Sequence, residues 1–126
     1  MGEAISLVRA SERTTDTVQS GGMIREAAFA TGAAWAGLVR TSPGMASGWH
    51  HHGTYETFIY VLEGRVFLEF GPGGRERVEG GPGDFFRVPA GTIHRESNPA
   101  ASEGRIVVVR TGTGAPVVNV EGPEPG

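Results

Sequence analysis

The chain predicts an all-β fold, a sandwich or barrel of short strands. Three observations carry this. Apolar residues alternate over short runs, 21 Gly and 8 Pro punctuate those runs at regular intervals, and no segment keeps helical periodicity for three turns. At 126 residues without an internal repeat, the sequence reads as one domain with a single core.

Taken in order, residues 1–22 read as a polar arm ending in Ser20-Gly21-Gly22. Within the arm, Ile5-Ser6-Leu7-Val8 has the composition of an edge strand, or of one that pairs with a neighbouring subunit. Residues 23–30 and 34–40 are strands broken at Thr31-Gly32, and Gly32 counts against reading this Ala-rich stretch as a helix. Ser42-Pro43-Gly44 is a turn. Strands follow at 49–52, 57–62 and 65–70, with Glu63-Gly64 turning the chain between the last two. After Gly71-Pro72-Gly73-Gly74 a short strand runs over 75–79, and after Gly80-Gly81-Pro82-Gly83 another over 84–88. Pro89-Ala90-Gly91-Thr92 turns the chain toward His94, and 105–110 (Ile-Val-Val-Val between arginines) is a buried strand. The barrel is thus expected over 23–111. The Gly/Pro-rich tail, 112–126, should be loose apart from 117–120.

Composition removes several classes of function. There is no Cys, so disulfides and thiolate chemistry are excluded. All eleven basic residues are Arg, and a Schiff base or a lysine general base is excluded with them. Net charge is −3 and the arginines are scattered, which argues against a nucleic-acid partner. A polar start and the lack of any long apolar run predict a cytoplasmic protein with no membrane partner.

The informative residues are the histidines. All four fall in two segments, at 50–52 and at 94. Imidazoles two apart on an extended chain point to one side, so His50 and His52 can share a cation while His51 faces the other way. Glu56 shortly after them and the distant His94 complete a mixed nitrogen and oxygen donor set suited to a divalent transition metal.

The two segments resemble the paired motifs of the cupin superfamily. Gly44, His50, His52 and Glu56 follow the first, G-x5-H-x-H-x3-or-4-E-x6-G, with Gly64 one residue late; Gly83, Pro89, Gly91, His94 and Asn98 follow the second, G-x5-P-x-G-x2-H-x3-N, throughout. The 18 residues between Gly64 and Gly83 are the compact spacing of small single-domain bacterial cupins. The resemblance implies a double-stranded β-helix, or jelly-roll barrel, with one divalent metal (Fe, Mn, Ni, Co or Zn) held inside by His50, His52, His94 and Glu56. Counted from His50, the carboxylate slot is Glu56; counted back from Gly64, it is Thr57. A β-bulge can absorb the extra residue. Parity then decides the pocket wall. With Glu56 inward, Phe58, Tyr60 and Leu62 face in; with Thr57 inward, Ile59 and Val61 do.

Glu56 and Tyr60 are the candidate catalytic residues, and Trp49, Tyr55, Tyr60 and Phe86 the candidates to line the mouth. Arg87, Arg95 and Arg110 are candidates for a substrate carboxylate, and Asn98 for tying the backbone after its strand. The resemblance implies a metal-dependent enzyme acting on a small organic molecule, with dioxygenase-like chemistry slightly ahead of isomerase or lyase chemistry. The alternative is a non-catalytic small-molecule-binding or sensor module. Strand edges and the N-terminal arm predict a homodimer.

Overall fold

Alternation of apolar and polar residues places ten strands back to back. The computed structural model describes residues 4–17, 19, 21–114 and 117–125. The strands are β1 (Met23–Ala30), β2 (Ala34–Thr41), β3 (His50–His51), β4 (Glu56–Glu63), β5 (Val66–Phe70), β6 (Glu76–Gly80), β7 (Phe85–Val88), β8 (His94–Ser97), β9 (Gly104–Thr111) and β10 (Val118–Asn119). They form two five-stranded sheets, ordered β1-β2-β9-β4-β7 and β10-β3-β8-β5-β6, with every pairing antiparallel. Two single 3-10 turns, Ala10–Glu12 and Pro72–Gly74, are the helical elements of the described residues. This is the double-stranded β-helix that the sequence predicts.

The core is the inward parity of both sheets. On β9 the buried residues are Gly104, Ile106, Val108 and Arg110, and each lies opposite a buried residue of β2: Thr41, Val39, Gly37 and Trp35. On β4 the buried residues are Thr57, Ile59 and Val61. Val66 and Leu68 of the facing sheet pack against this set. Removing a Val, Leu or Ile side chain of this kind from water contributes roughly 1.5–3 kcal/mol. A bulge interrupts the β4–β9 ladder between Val61 and Glu63, directly before the late glycine. Gly64 itself turns at φ 87°, and a Cβ there would stand 3.0 Å from the Gly104 Cα. Both the backbone angle and the close approach require glycine.

Asn98 closes one end of the barrel. Its side chain is 1% exposed and its Nδ2 donates to the carbonyls of Thr41, Ser42 and Ser102 at 3.3, 3.3 and 3.0 Å, while its Oδ1 accepts from the Ala100 N–H at 3.1 Å.

Residues 5–8 join no strand of this chain, and Ile5 and Leu7 lie exposed; the arm touches β1 through the Thr14–Ala27 bridge. In the tail, the segment 117–120 pairs with β3: Val118 and Asn119 lie opposite His51 and His50, and Val120 N–H donates to Trp49 O at 3.0 Å. Beyond that segment, Gly73 N–H donates to Glu124 O at 2.8 Å. Ser20, Ala115 and Pro116, parts of the predicted arm and tail, lie outside the described residues.

Candidate metal centre

The inward parity of β3 and β8 brings three imidazoles together. His50 on β3 lies directly opposite His94 on β8, and His52, two residues after His50, returns to the same side. The ring centroids are 4.4 Å apart for His50–His94 and 5.0 Å for the other two pairs. One ring nitrogen from each lies within 4.8 Å of the others, and all three residues are buried. His51 faces away, as alternation requires, and its Nδ1 accepts from the Gly53 N–H at 3.0 Å.

Orientation is fixed from behind. His50 Nδ1 lies 2.9 Å from Gly48 O, and His94 Nδ1 lies 2.9 Å from Thr92 O. A carbonyl only accepts, so in each ring Nδ1 carries the proton and Nε2 is left as a lone-pair donor. Gly91, at φ 72°, and Pro89 shape the turn that ends in Thr92 and presents His94. Burial lowers the pKa of His94 to about 4, with the charges of His50, Arg110 and His51 adding to the effect and the Thr92 hydrogen bond opposing it. Burial likewise lowers that of His50, helped by Arg25 and Arg110. These rings are neutral at pH 7, the state in which imidazole ligates a metal. The donor chemistry, the burial and the shared facing therefore fit a divalent cation.

Glu56 is not brought to this cluster. It sits on the outward parity of β4, where its carboxylate accepts from Arg87 Nε across the β4–β7 ladder. Thr57 takes the inward position, 2% exposed, and its Oγ1 has no hydrogen-bond partner among the described residues. Thr57 thus has the inward parity that the count back from Gly64 gives, and Glu56 the outward one. Tyr60 shares the outward parity, half-buried, with its ring tilted 50° against that of Phe85 and the centroids 4.6 Å apart. Neither candidate catalytic residue reaches the barrel interior.

Two charged groups absent from the predicted site lie inside the barrel. Glu96 is the next inward residue after His94 on β8 and is 5% exposed; Arg25 is an inward residue of β1 at 6%. Arg110, a sequence candidate, is inward on β9, also at 6%. Burial pushes the Glu96 carboxyl up to about 7, against the pull of Arg25 and Arg110. Burial lowers Arg110 to about 10, with Arg25 adding to the shift and Glu96 opposing it. Alternation from His94 identifies Glu96 as inward, and alternation from Met23 does the same for Arg25. Arg87 and Arg95 instead make the partly exposed pairs Arg87–Glu56 and Arg95–Glu69.

A cavity of about 680 Å³ opens between β6 and β7, the edge strands of the two sheets. His94 lines it together with Leu68, Phe70, Phe86 and Val88, while Glu79, Asp84 and Arg87 supply polar groups. Of the expected mouth residues, Phe86 is in this wall, Tyr55 lines a second cavity, and the Trp49 ring is covered by the Arg95 guanidinium at 4.6 Å. No helix of the described residues is long and apolar enough to cross a membrane.

Comparison with known proteins agrees with this architecture. Among solved structures, the chain is similar to the polyketide cyclase RemF from Streptomyces resistomycificus, with 23% identity over 93% of this chain and 86% of that one and a TM-score of 0.76. It is similar to KdgF from Halomonas sp., with 23% identity over 86% of this chain and 96% of that one and a TM-score of 0.69. A sugar phosphate isomerase from Silicibacter pomeroyi shares 22% identity over 86% of this chain and 76% of that one, with a TM-score of 0.68. No curated protein sequence matches. The cupin domain model matches residues 37–110, more than half of the sequence and the whole span from β2 through the histidines to Arg110. The chain belongs to the cupin family.

Proposed function

We propose that the protein is a metal-dependent enzyme acting on a small, largely apolar organic molecule. One observation carries this reading: three buried imidazoles bring one ring nitrogen each within 4.8 Å of the others, and His94 among them lines a 680 Å³ cavity with aliphatic and aromatic walls. His50, His52 and His94 would hold one divalent ion of Fe, Mn, Ni, Co or Zn. Three histidines leave coordination positions open, as catalytic sites do.

When bound, the ion would supply Lewis-acid polarisation of a substrate oxygen or an activated water. Neutral donors leave its charge undiminished. No carboxylate of the described residues joins these histidines. An iron ion would suit the dioxygenase-like reading, whereas the other ions, acting as Lewis acids, would point to isomerase, cyclase or lyase chemistry. The names cyclase and isomerase among the similar structures agree with that direction. The chain's own residues divide the remaining work. Leu68, Phe70, Phe86 and Val88 exclude water from the apolar part of the substrate, while Thr57 offers a buried hydroxyl that no described residue uses.

Exposed Phe58, Leu62 and Phe85 on the outer face of the first sheet support a homodimer. A cysteine-free composition supports the cytoplasm as its compartment.

The test is elemental analysis of untagged protein beside His52→Ala and His94→Ala. About one equivalent of a transition metal in the parent, and loss of tight binding in both variants, is the expected result. Parent protein that is metal-free and refuses all five ions on reconstitution would replace this reading with a non-catalytic binding module.

A further inference from the structure

On the inward face of β4, Thr57 is the polar residue beside the apolar Ile59 and Val61. Its Oγ1 is shut off from solvent and has no hydrogen-bond partner among the described residues. The ladder offers the hydroxyl proton no side-chain acceptor. Directly opposite stand Val88 of β7, which is apolar, and Arg110 of β9, whose guanidinium only donates. A valine has nearly the same shape without the polar atom, and a buried donor left unmade destabilises the fold. Packing alone therefore does not call for a threonine here.

Its place in the barrel says where a partner would come from. β4 lies in one sheet and β3 and β8 in the other, so the inward face of β4 looks toward the face that carries His50 and His94. Val88, beside Thr57 in register, lines the 680 Å³ cavity together with His94. Arg110, on the other side, is near enough to His50 and His94 for its charge to lower the pKa of both. The hydroxyl thus stands between the cavity wall and a residue that two of the histidines feel. A neutral alcohol is not among the side chains that ordinarily bind transition-metal ions, but it donates a hydrogen bond well.

We propose that Thr57 donates its Oγ1 hydrogen bond to an anionic oxygen of the substrate, a carboxylate, enolate or phenolate, seated against the three histidines. The inference rests on the metal reading above and adds to it the charge of the substrate and the residue that recognises it. Neutral imidazoles leave a divalent ion its full attraction for an anion, and a hydrogen bond to a charged acceptor is stronger than one to a neutral acceptor.

The test uses the full chain loaded with Co(II), with azide as the anionic probe and imidazole as the neutral one, each followed by the visible Co(II) spectrum. Bound azide keeps lone pairs beside the ion for a hydroxyl to reach, and bound imidazole does not. Thr57→Val should take up Co(II) with an affinity within about twofold of the parent, bind azide about tenfold more weakly and bind imidazole unchanged. Thr57→Ser should bring azide affinity back to within about threefold of the parent. Thr57→Ala repeats the comparison where Thr57→Val fails to fold. Equal azide affinity in parent and Thr57→Val would overturn the proposal, as would an equal weakening of both probes, which a change of shape alone produces. A loss of Co(II) affinity of about tenfold in Thr57→Val would overturn it too, because the hydroxyl would then be a ligand. A parent that takes up no Co(II) is a separate and earlier failure: the metal reading falls, and this inference falls with it.

Discussion

Replacing Glu56 by Ala separates two readings of the same motif. In the structure Glu56 points out of the barrel and pairs with Arg87, with side chains 36% and 60% exposed. Exposed pairs of this kind contribute roughly 0.2–1 kcal/mol, and exposure this high places the pair in the lower half of that range. The variant should therefore lose about 0.5 kcal/mol or less, a fall in Tm of roughly 2 °C. Metal affinity should change less than about twofold, because no metal-facing atom is removed. Loss of a coordinating carboxylate would be far larger. Even partners that only orient a ligand cost about 10–100-fold in affinity when removed, so a true ligand should cost at least about tenfold, or 1.4 kcal/mol. Competition of Zn(II) or Co(II) against a chromophoric chelator resolves that difference easily, and the visible Co(II) spectrum reports whether the donor set changes. Arg87→Ala serves as the control and should match Glu56→Ala in stability and in affinity. A tenfold or greater loss confined to Glu56→Ala, with an altered Co(II) spectrum, would refute the parity assignment and return Glu56 to the metal.

Thr57→Val keeps the shape of the side chain and removes its buried, unpartnered Oγ1; metal-free protein should gain about 1 kcal/mol in denaturant unfolding, and a loss of similar size would show that the hydroxyl has a partner. Glu96→Gln should change the pH dependence of stability. The carboxyl titrates near 7 in the folded chain, beside Arg25 and Arg110, and near 4.5 when unfolded, so the native state holds the extra proton between those values and the parent loses stability as pH rises through them. His94, lowered from 6.5 to about 4, works in the opposite direction over pH 4 to 6.5, so the difference between variant and parent is the quantity to measure. That difference should grow in favour of the Gln variant from pH 4.5 to 7, toward at most about 3 kcal/mol; a flat difference would show that Glu96 is ionised in the folded chain throughout.

Most of the strands were legible because alternation and glycine turns are local signals. The histidine cluster was legible because fixed spacing and strand parity together decide which way a side chain points. Glu56 shows where that logic stops. A single added residue before Gly64 makes two parities equally consistent with the spacing, and only the position of the Val61–Glu63 bulge, a property of the β4–β9 ladder, separates them. In the tail, the ordered segment 117–120 was legible but its partner was not: Val118 and Asn119 form a strand because His50 and His51 offer them an edge, and nothing in a two-residue segment announces its partner. Glu96 and Arg25 were readable in principle from alternation, but buried charges run against the expectation that strands turn apolar side chains inward.

The larger cavity lies where β6 ends one sheet and β7 ends the other, with no backbone ladder joining them. Widening that seam therefore breaks side-chain packing but no interstrand hydrogen bond, whereas Asn98 fastens the β2–β3 and β8–β9 connections to each other elsewhere in the barrel. A clamshell hinged in this way tolerates guests of graded girth. Selectivity in such a molecule would rest on what a guest offers the histidines more than on its outline, and amide exchange should be fastest along β6 and β7 and slowest around Asn98.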